Sequence, residues 1–191
     1  MTVAIFAGGE SRRMGTDKAA LLFGGLTLLE RAVHTVLSAG LPVLVAGRVR
    51  PDAWQMPDVD FAPDDIPGRG PLGGLGTALR RAGMPVLAVA CDMPLLTPDA
   101  LRWLRDQAAA GTGEHGLAVA QGGRWEPLFS VYAPACLPLI ESRLAAGRLS
   151  LHGLIELGDF AHVNAPAWVA SQLLNVNTPD DLARIGTTEA L

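Results

Sequence analysis

A chain of 191 residues, 49% hydrophobic and 18% charged, has enough apolar material to bury a core of ordinary size and is not composed like a disordered segment. Its formal net charge of -4 excludes a surface that wraps nucleic acid by long-range attraction, so any anion must be held locally. Cys91 and Cys136, without metal-like spacing, exclude a disulfide-dependent secreted fold and read as buried free thiols.

Thr2 to Phe6 is a short apolar run that stops at Gly8-Gly9, as a buried parallel strand ending in a functional loop does. "AALLFGG" then predicts a brief strand and turn ahead of an amphipathic helix from about Leu28 to Ala39, closed by Gly40 and Pro42. "PVLVAG" reads as the second main strand and "VDFAP", from Val59, as a weaker third. In "DDIPGRGPLGGLGTALRRAG" the glycines and prolines predict an ordered loop, "GPLGG" lying just before a helix that carries Leu75, Leu79 and Ala82 and ends near Gly83. "PVLAVACDMPLL" is a buried strand stopped at Asp92, and Thr97 caps the next helix with Pro98 at its first position. Gly116 to Ala120 is a strand, Gly122-Gly123 a turn, and "RWEPLFSVY" its hairpin partner. Helical patterns at Pro134 to Ala146 and Leu151 to Leu157, a short strand "FAHV", and a helix in "NVNTPDDLARIG" capped by Thr178 complete the chain. No linker or internal repeat divides residues 1–191, which read as a single domain. Alternating strands and helices predict an α/β fold, an open, mainly parallel sheet with helices on both faces and ligands beyond the carboxyl ends of its strands.

Three stretches carry chemistry. Glycines 8, 9 and 15 let backbone N–H groups approach an anion, and Arg12, Arg13 and Lys18 can neutralise a polyphosphate; the competing reading is a glycine-rich turn with solvated charges. Asp92, directly after a buried strand, offers oxygen ligands to a hard cation such as Mg²⁺, or simply ends the strand. The "GPLGG" segment can approach a base or sugar, with Asp64 accepting hydrogen bonds from a nucleoside, or can merely initiate a helix.

Together "FAGGESRRMGTDKA", "DDIPGRGPLGGL", "CDMPLL", "EPLFSVY" and "NVNTPDDL" make the chain resemble the molybdenum cofactor guanylyltransferases, the MobA-like nucleotidyltransferases, over nearly its whole length. The resemblance implies a Rossmann-like nucleotidyltransferase fold and transfer of GMP from Mg-GTP to the phosphate of molybdopterin or its molybdenum-loaded form, releasing pyrophosphate. It implies GTP contacts at Phe6, Ala7 and Gly8, Lys18 on phosphate, Asp64 on the nucleoside side and Asp92 on Mg²⁺, with Arg12 and Arg13 matching the family's basic pair. Phe6 stands where leucine is usual, and "VAGR" places Ala46 where some relatives carry a nucleotide-contacting asparagine, so no base contact is assigned there.

In this reading, Lys18, Arg12 and Arg13 offset charge on the triphosphate, and the acceptor phosphate, already largely ionised near neutral pH, attacks without a histidine base. His34, His115, His152 and His162 are scattered, and read as surface or core residues. Asn175 and Asn177 are candidates for the acceptor pocket, while Asp180 and Asp181 read as a helix start. Arg148 suits an acceptor phosphate or a helix end equally; Trp125 and Tyr132 bound a pterin pocket or pack a hairpin. The rival activities are a nucleotidyltransferase with another base or acceptor, including cytidylyl transfer from CTP, against which Gly9 argues, and a non-catalytic nucleotide-binding or cofactor-carrier protein. With neither a leader nor a bilayer-length apolar run in the sequence, a cytoplasmic protein is expected, with transient cofactor-delivering and cofactor-receiving partners.

Overall fold

A computed structural model describes residues 1–8, 17–56, 59–176 and 181. β1 (Thr2–Phe6) is buried from Val3 onward. Lys18–Ala20 form a 3-10 turn, capped by the Asp17 carboxylate, which accepts the Ala19 N–H at 3.1 Å. The hairpin of β2 (Leu22–Phe23) and β3 (Leu26–Thr27) turns through Gly24 and Gly25, both at positive φ. Thr27 and Glu30 then form a reciprocal capping box at the start of α1 (Leu28–Ser38).

β4 (Val43–Ala46) and β5 (Val59–Ala62) lead to α2 (Gly70–Ala82). The expectation that "GPLGG" precedes this helix is corrected: Gly70 to Gly74 form its opening turns. Glycine there costs about 1 kcal/mol of helix propensity. Close packing offsets it, since a Cβ on Gly73 would lie 2.6 Å from the Arg69 Cβ and one on Gly74 3.3 Å from the Phe6 ring. After β6 (Val86–Ala90), Thr97 caps α3 (Pro98–Ala110), as the sequence predicts. β7 (Gly116–Gln121) turns into β8 (Arg124–Trp125), and β9 (Phe129–Tyr132) follows. α4 (Leu137–Ala145), preceded by a 3-10 turn at Pro134–Cys136, α5 (Leu151–Leu157), β10 (Phe160–Asn164) and the single turn α6 (Ala167–Ala170) complete the described chain. The expected cap at Thr178 lies outside the described residues.

The main sheet runs β10-β7-β9-β6-β1-β4-β5, with β8 paired to β7. β9 is antiparallel to both β6 and β7, and β8 to β7; the other pairs are parallel. The reversal at β9 leaves β6 and β7 pointing the same way. The carboxyl ends of β1, β4, β5, β6, β7 and β10 therefore share one edge, and the beginning of β9 arrives there too.

Strand alternation divides the core between the two faces. Val3 and Ile5 of β1 join Leu29, Val33 and Val36 of α1 and Leu101 and Leu104 of α3. Ala4 and Phe6 join Leu72, Leu75 and Leu79 of α2, Ile140 of α4 and Leu154 of α5. Each fully buried leucine contributes roughly 1.5–3 kcal/mol, so each helical layer is fastened to the sheet by its apolar stripe. Among the described residues no helix is long and apolar enough to cross a membrane.

Candidate active site

A cavity of about 650 Å³ opens at the shared carboxyl edge, and Phe6, Ala7, Gly8, Lys18, Asp64 and Asp92 all line it. The structure thus gathers these six expected site residues from four separate stretches. Arg12 and Arg13 lie outside the described residues.

The chain leaving β1 is held between its neighbours: the Ala7 N–H donates to the Ala46 carbonyl and the Cys91 N–H to the Phe6 carbonyl, each at 3.2 Å. Gly8 then passes against Gly47, where an added Cβ would lie 2.8 Å from the Gly47 carbonyl oxygen. Gly47 itself adopts φ +81°, which disfavours any side chain. Two backbones meet here without side chains, leaving the cavity wall open to close approach. Sequence reasoning missed Gly47; its signal was the glycine ending "VLVAG", unreadable as a wall until Gly8 was seen opposite it.

Asp64 follows β5. Its Oδ1 is buried and has no hydrogen-bond partner among the described residues. Cβ atoms on Gly74 and Gly47 would lie 3.2 and 3.4 Å from that oxygen, so the two glycines make its space. Burial, aided by the neighbouring Asp65 charge, pushes the Asp64 carboxyl above its ordinary value. An unsatisfied buried acceptor costs about 1–3 kcal/mol, which a ligand bringing an N–H or O–H donor can recover.

Lys18 Nζ lies 3.4 Å from Asp92 Oδ2, with both side chains about one-fifth exposed. Asp17 positions Lys18 by capping its turn and is ion-paired with Arg48, from the loop after β4. Asp92 is anchored from behind, its carbonyl accepting the Val176 N–H at 2.8 Å. Lys18 and three aspartates, Asp17, Asp64 and Asp92, line one cavity, a set that suits a polyanion accompanied by a hard cation, because carboxylate oxygens are the donors Mg²⁺ takes. Among the described residues there is no group of three or more His, Cys, Asp or Glu that could hold a metal ion. Cys91 also lines the cavity, but burial, with the Asp92 charge adding, pushes its thiol up to about 12, leaving it protonated and a poor nucleophile.

The later candidates separate. Tyr132 is wholly buried, its hydroxyl donating to the Pro127 carbonyl at 2.8 Å, so it packs the hairpin. Trp125 is partly buried against the second core, its ring 4.6 Å from that of His162. Arg148 and Asn175 are exposed and do not line the cavity; Asn177 lies outside the described residues. None of the four histidines lines it. Leu128, which sequence reasoning passed over, does.

Residues 3–162 match the model of the MobA-like NTP transferase domain. A protein of Pelotomaculum thermopropionicum named "Probable molybdenum cofactor guanylyltransferase" is 33% identical over 96% of this chain and 90% of its own length. One of the same name from Chloroflexus aggregans is 36% identical over 98% of this chain and 96% of its own. Among solved structures, molybdopterin-guanine dinucleotide biosynthesis protein A from Archaeoglobus fulgidus superposes with a TM-score of 0.80 at 24% identity, covering 100% of this chain and 99% of that one.

Proposed function

The chain belongs to the MobA-like NTP transferase family, and from that premise we propose that it transfers GMP from GTP to the phosphate of molybdopterin, releasing pyrophosphate. The observation that carries the reading is the single cavity in which Gly8, Lys18, Asp64 and Asp92 meet, in a chain whose near full-length relatives bear the guanylyltransferase name.

Each residue then has a role. The backbone at Phe6, Ala7 and Gly8 runs along the nucleotide, the Gly8–Gly47 contact letting it come close. Lys18 binds phosphate oxygens and, with Arg12 and Arg13, offsets their charge. Asp64 accepts hydrogen bonds on the nucleoside side through its unsatisfied oxygen. Asp92 would hold Mg²⁺, whose chemistry when bound is to neutralise phosphate oxygens and the departing pyrophosphate. An oxygen of the acceptor phosphate forms a bond to the α-phosphorus as the bond from that phosphorus to the α–β bridging oxygen breaks, the electron pair leaving with pyrophosphate. No base is needed, since the attacking oxygen is already ionised near neutral pH. Positioning and charge offset carry the catalysis. Residues 1–191 act as one nucleotidyltransferase domain, in the cytoplasm, receiving and passing on the cofactor through transient protein contacts.

The test is pyrophosphate release by purified protein with Mg²⁺ and molybdopterin, GTP against CTP. Acceptor-dependent release with GTP supports the reading. Preference for CTP keeps the chemistry and changes the base. Absence of release with either nucleotide, using intact acceptor, overturns it.

A further inference from the structure

We propose that Arg48 is the positioning residue of Lys18, acting through Asp17, and that Gly47 and Arg48 together fasten the chain on either side of residues 9–16 to the loop after β4. The proposal rests on the phosphate-binding role given to Lys18 above.

The loop after β4 is a fixed point. β4 is buried along its length, and the Gly47 N–H donates to the Ala62 carbonyl at 2.8 Å. From there two consecutive residues reach the chain that leaves β1. Gly47 lies against Gly8, so closely that a Cβ on Gly47 would stand 3.0 Å from the Gly8 Cα. Arg48 forms an ion pair with Asp17 through Nη2 and Oδ2. The other oxygen of that carboxylate, Oδ1, accepts the Ala19 N–H at 3.1 Å and caps the turn that begins at Lys18. Both oxygens of Asp17 are thus engaged, one by the turn and one by Arg48, and the neighbouring Lys18 reaches Asp92 at 3.4 Å. Gly8, Asp17, Lys18 and Gly47 all line the cavity, and the Cys91 thiol in its wall feels the charges of both Arg48 and Lys18.

Stability and positioning separate here. Arg48 and Asp17 are both partly exposed, and an ion pair of that kind adds little to the stability of a fold. What it restricts is the rotamer of Asp17, and so the direction in which the capped turn presents Lys18. In a reaction carried by positioning a displaced charge is costly, so loss of Arg48 is expected to show in phosphate binding and turnover far more than in melting temperature. Lys18 is the only lysine of the chain, which makes its side chain a unique reporter.

The test is a double-mutant cycle of Arg48→Gln and Asp17→Asn. Asparagine keeps an oxygen that caps the turn and loses the charge that holds Arg48. In protein carrying isotopically labelled lysine, the single lysine side-chain signal is followed by NMR during titration with inorganic tripolyphosphate. Each single variant is expected to weaken tripolyphosphate about tenfold and to lower kcat/KM for GTP about tenfold, and the double variant to do no worse than either. Melting temperatures are expected to move by less than about 4 °C throughout. A charge acting through space gives opposite signs instead, Asp17→Asn tightening and Arg48→Gln weakening, and that pattern overturns the positioning role. So do losses that multiply in the double variant, which mean that Arg48 meets phosphate by itself, and so does a lysine signal that tripolyphosphate leaves unmoved in wild type. The titration needs neither GTP nor acceptor, so the two readings fail separately. Arg48→Gln with undiminished tripolyphosphate binding and turnover removes the positioning and keeps the activity; the expected cycle in protein that releases no pyrophosphate keeps the positioning and removes the activity.

Discussion

Lys18 and Asp92 form an ion pair at 3.4 Å, and the proposed function assigns each to a different part of the substrate. Lys18→Ala removes charge opposing the triphosphate, and kcat/KM for GTP is expected to fall on the order of 100-fold. Asp92→Asn keeps the side-chain shape but weakens the carboxylate's hold on cation, so the Mg²⁺ concentration for half-maximal rate is expected to rise at least about tenfold. Unchanged Mg²⁺ dependence in that variant would remove Asp92 from the metal site. Asp64 makes the complementary case, a partly buried carboxylate that costs stability and that the proposed function puts to use. Its carboxyl is raised by burial, so the fold disfavours the ionised form: there is no penalty below the ordinary value of 3.8, and a growing one as pH rises through the raised value. Asp64→Asn is therefore expected to raise the melting temperature at pH 7, by about 2–4 °C for each kcal/mol relieved, with the gain vanishing below the ordinary aspartate range and nucleotide affinity lost. Thermal melts against pH check the first part, and GTP titration the second. Lys18, Asp64 and Asp92, which the fold brings to one cavity, were legible as candidates because each interrupts apolar or glycine-rich sequence. Gly47 was not, because its role exists only in its contact with Gly8.

At the scale of elements, local chemistry explains what the sequence made readable. Thr97-Pro98 announces α3, and the structure adds a clamp: Thr97 Oγ1 accepts the Ala100 N–H at 3.4 Å and donates to Gln172 Oε1 at 2.8 Å, while the Thr97 N–H donates to the same oxygen at 3.0 Å. Gln172 thereby ties the segment after α6 to the start of α3. Thr97→Ala is expected to cost about 1–2 kcal/mol, and a double-mutant cycle with Gln172→Ala to show coupling of at least about 0.5 kcal/mol in denaturant unfolding. Simple additivity would mean that the clamp carries no energy. Less was legible where tertiary contact decides. The opening of α2 runs through glycines that helix propensity rejects, and α6 is too short to show a period. The "RWEPLFSVY" stretch read correctly as a hairpin partner of β7, yet nothing local announced that β9 also pairs with β6.

For the whole molecule, alternation of apolar strands and amphipathic helices was enough to predict a mainly parallel sheet covered on both faces, but strand order came only with the structure. A cavity assembled from β1, β4, β5 and β6 makes ligand binding a property of the folded state alone. GTP with Mg²⁺ at about 100 times its dissociation constant is therefore expected to stabilise the protein by about 2.7 kcal/mol, read as an upward shift in melting temperature that Lys18→Ala diminishes. No shift in wild type would mean that the cavity does not take the nucleotide. The reversed strand β9 has a further consequence. It marks a seam, with the cavity-lining loops that follow β1, β4, β5 and β6 on one side and the β7, β8 and β10 loops on the other. Each side hangs on its own strands, so the two can drift separately over evolutionary time. Under the proposed function, a chimera joined within the β6–α3 segment is expected to carry the nucleotide preference of its first part, read by competition of GTP against CTP.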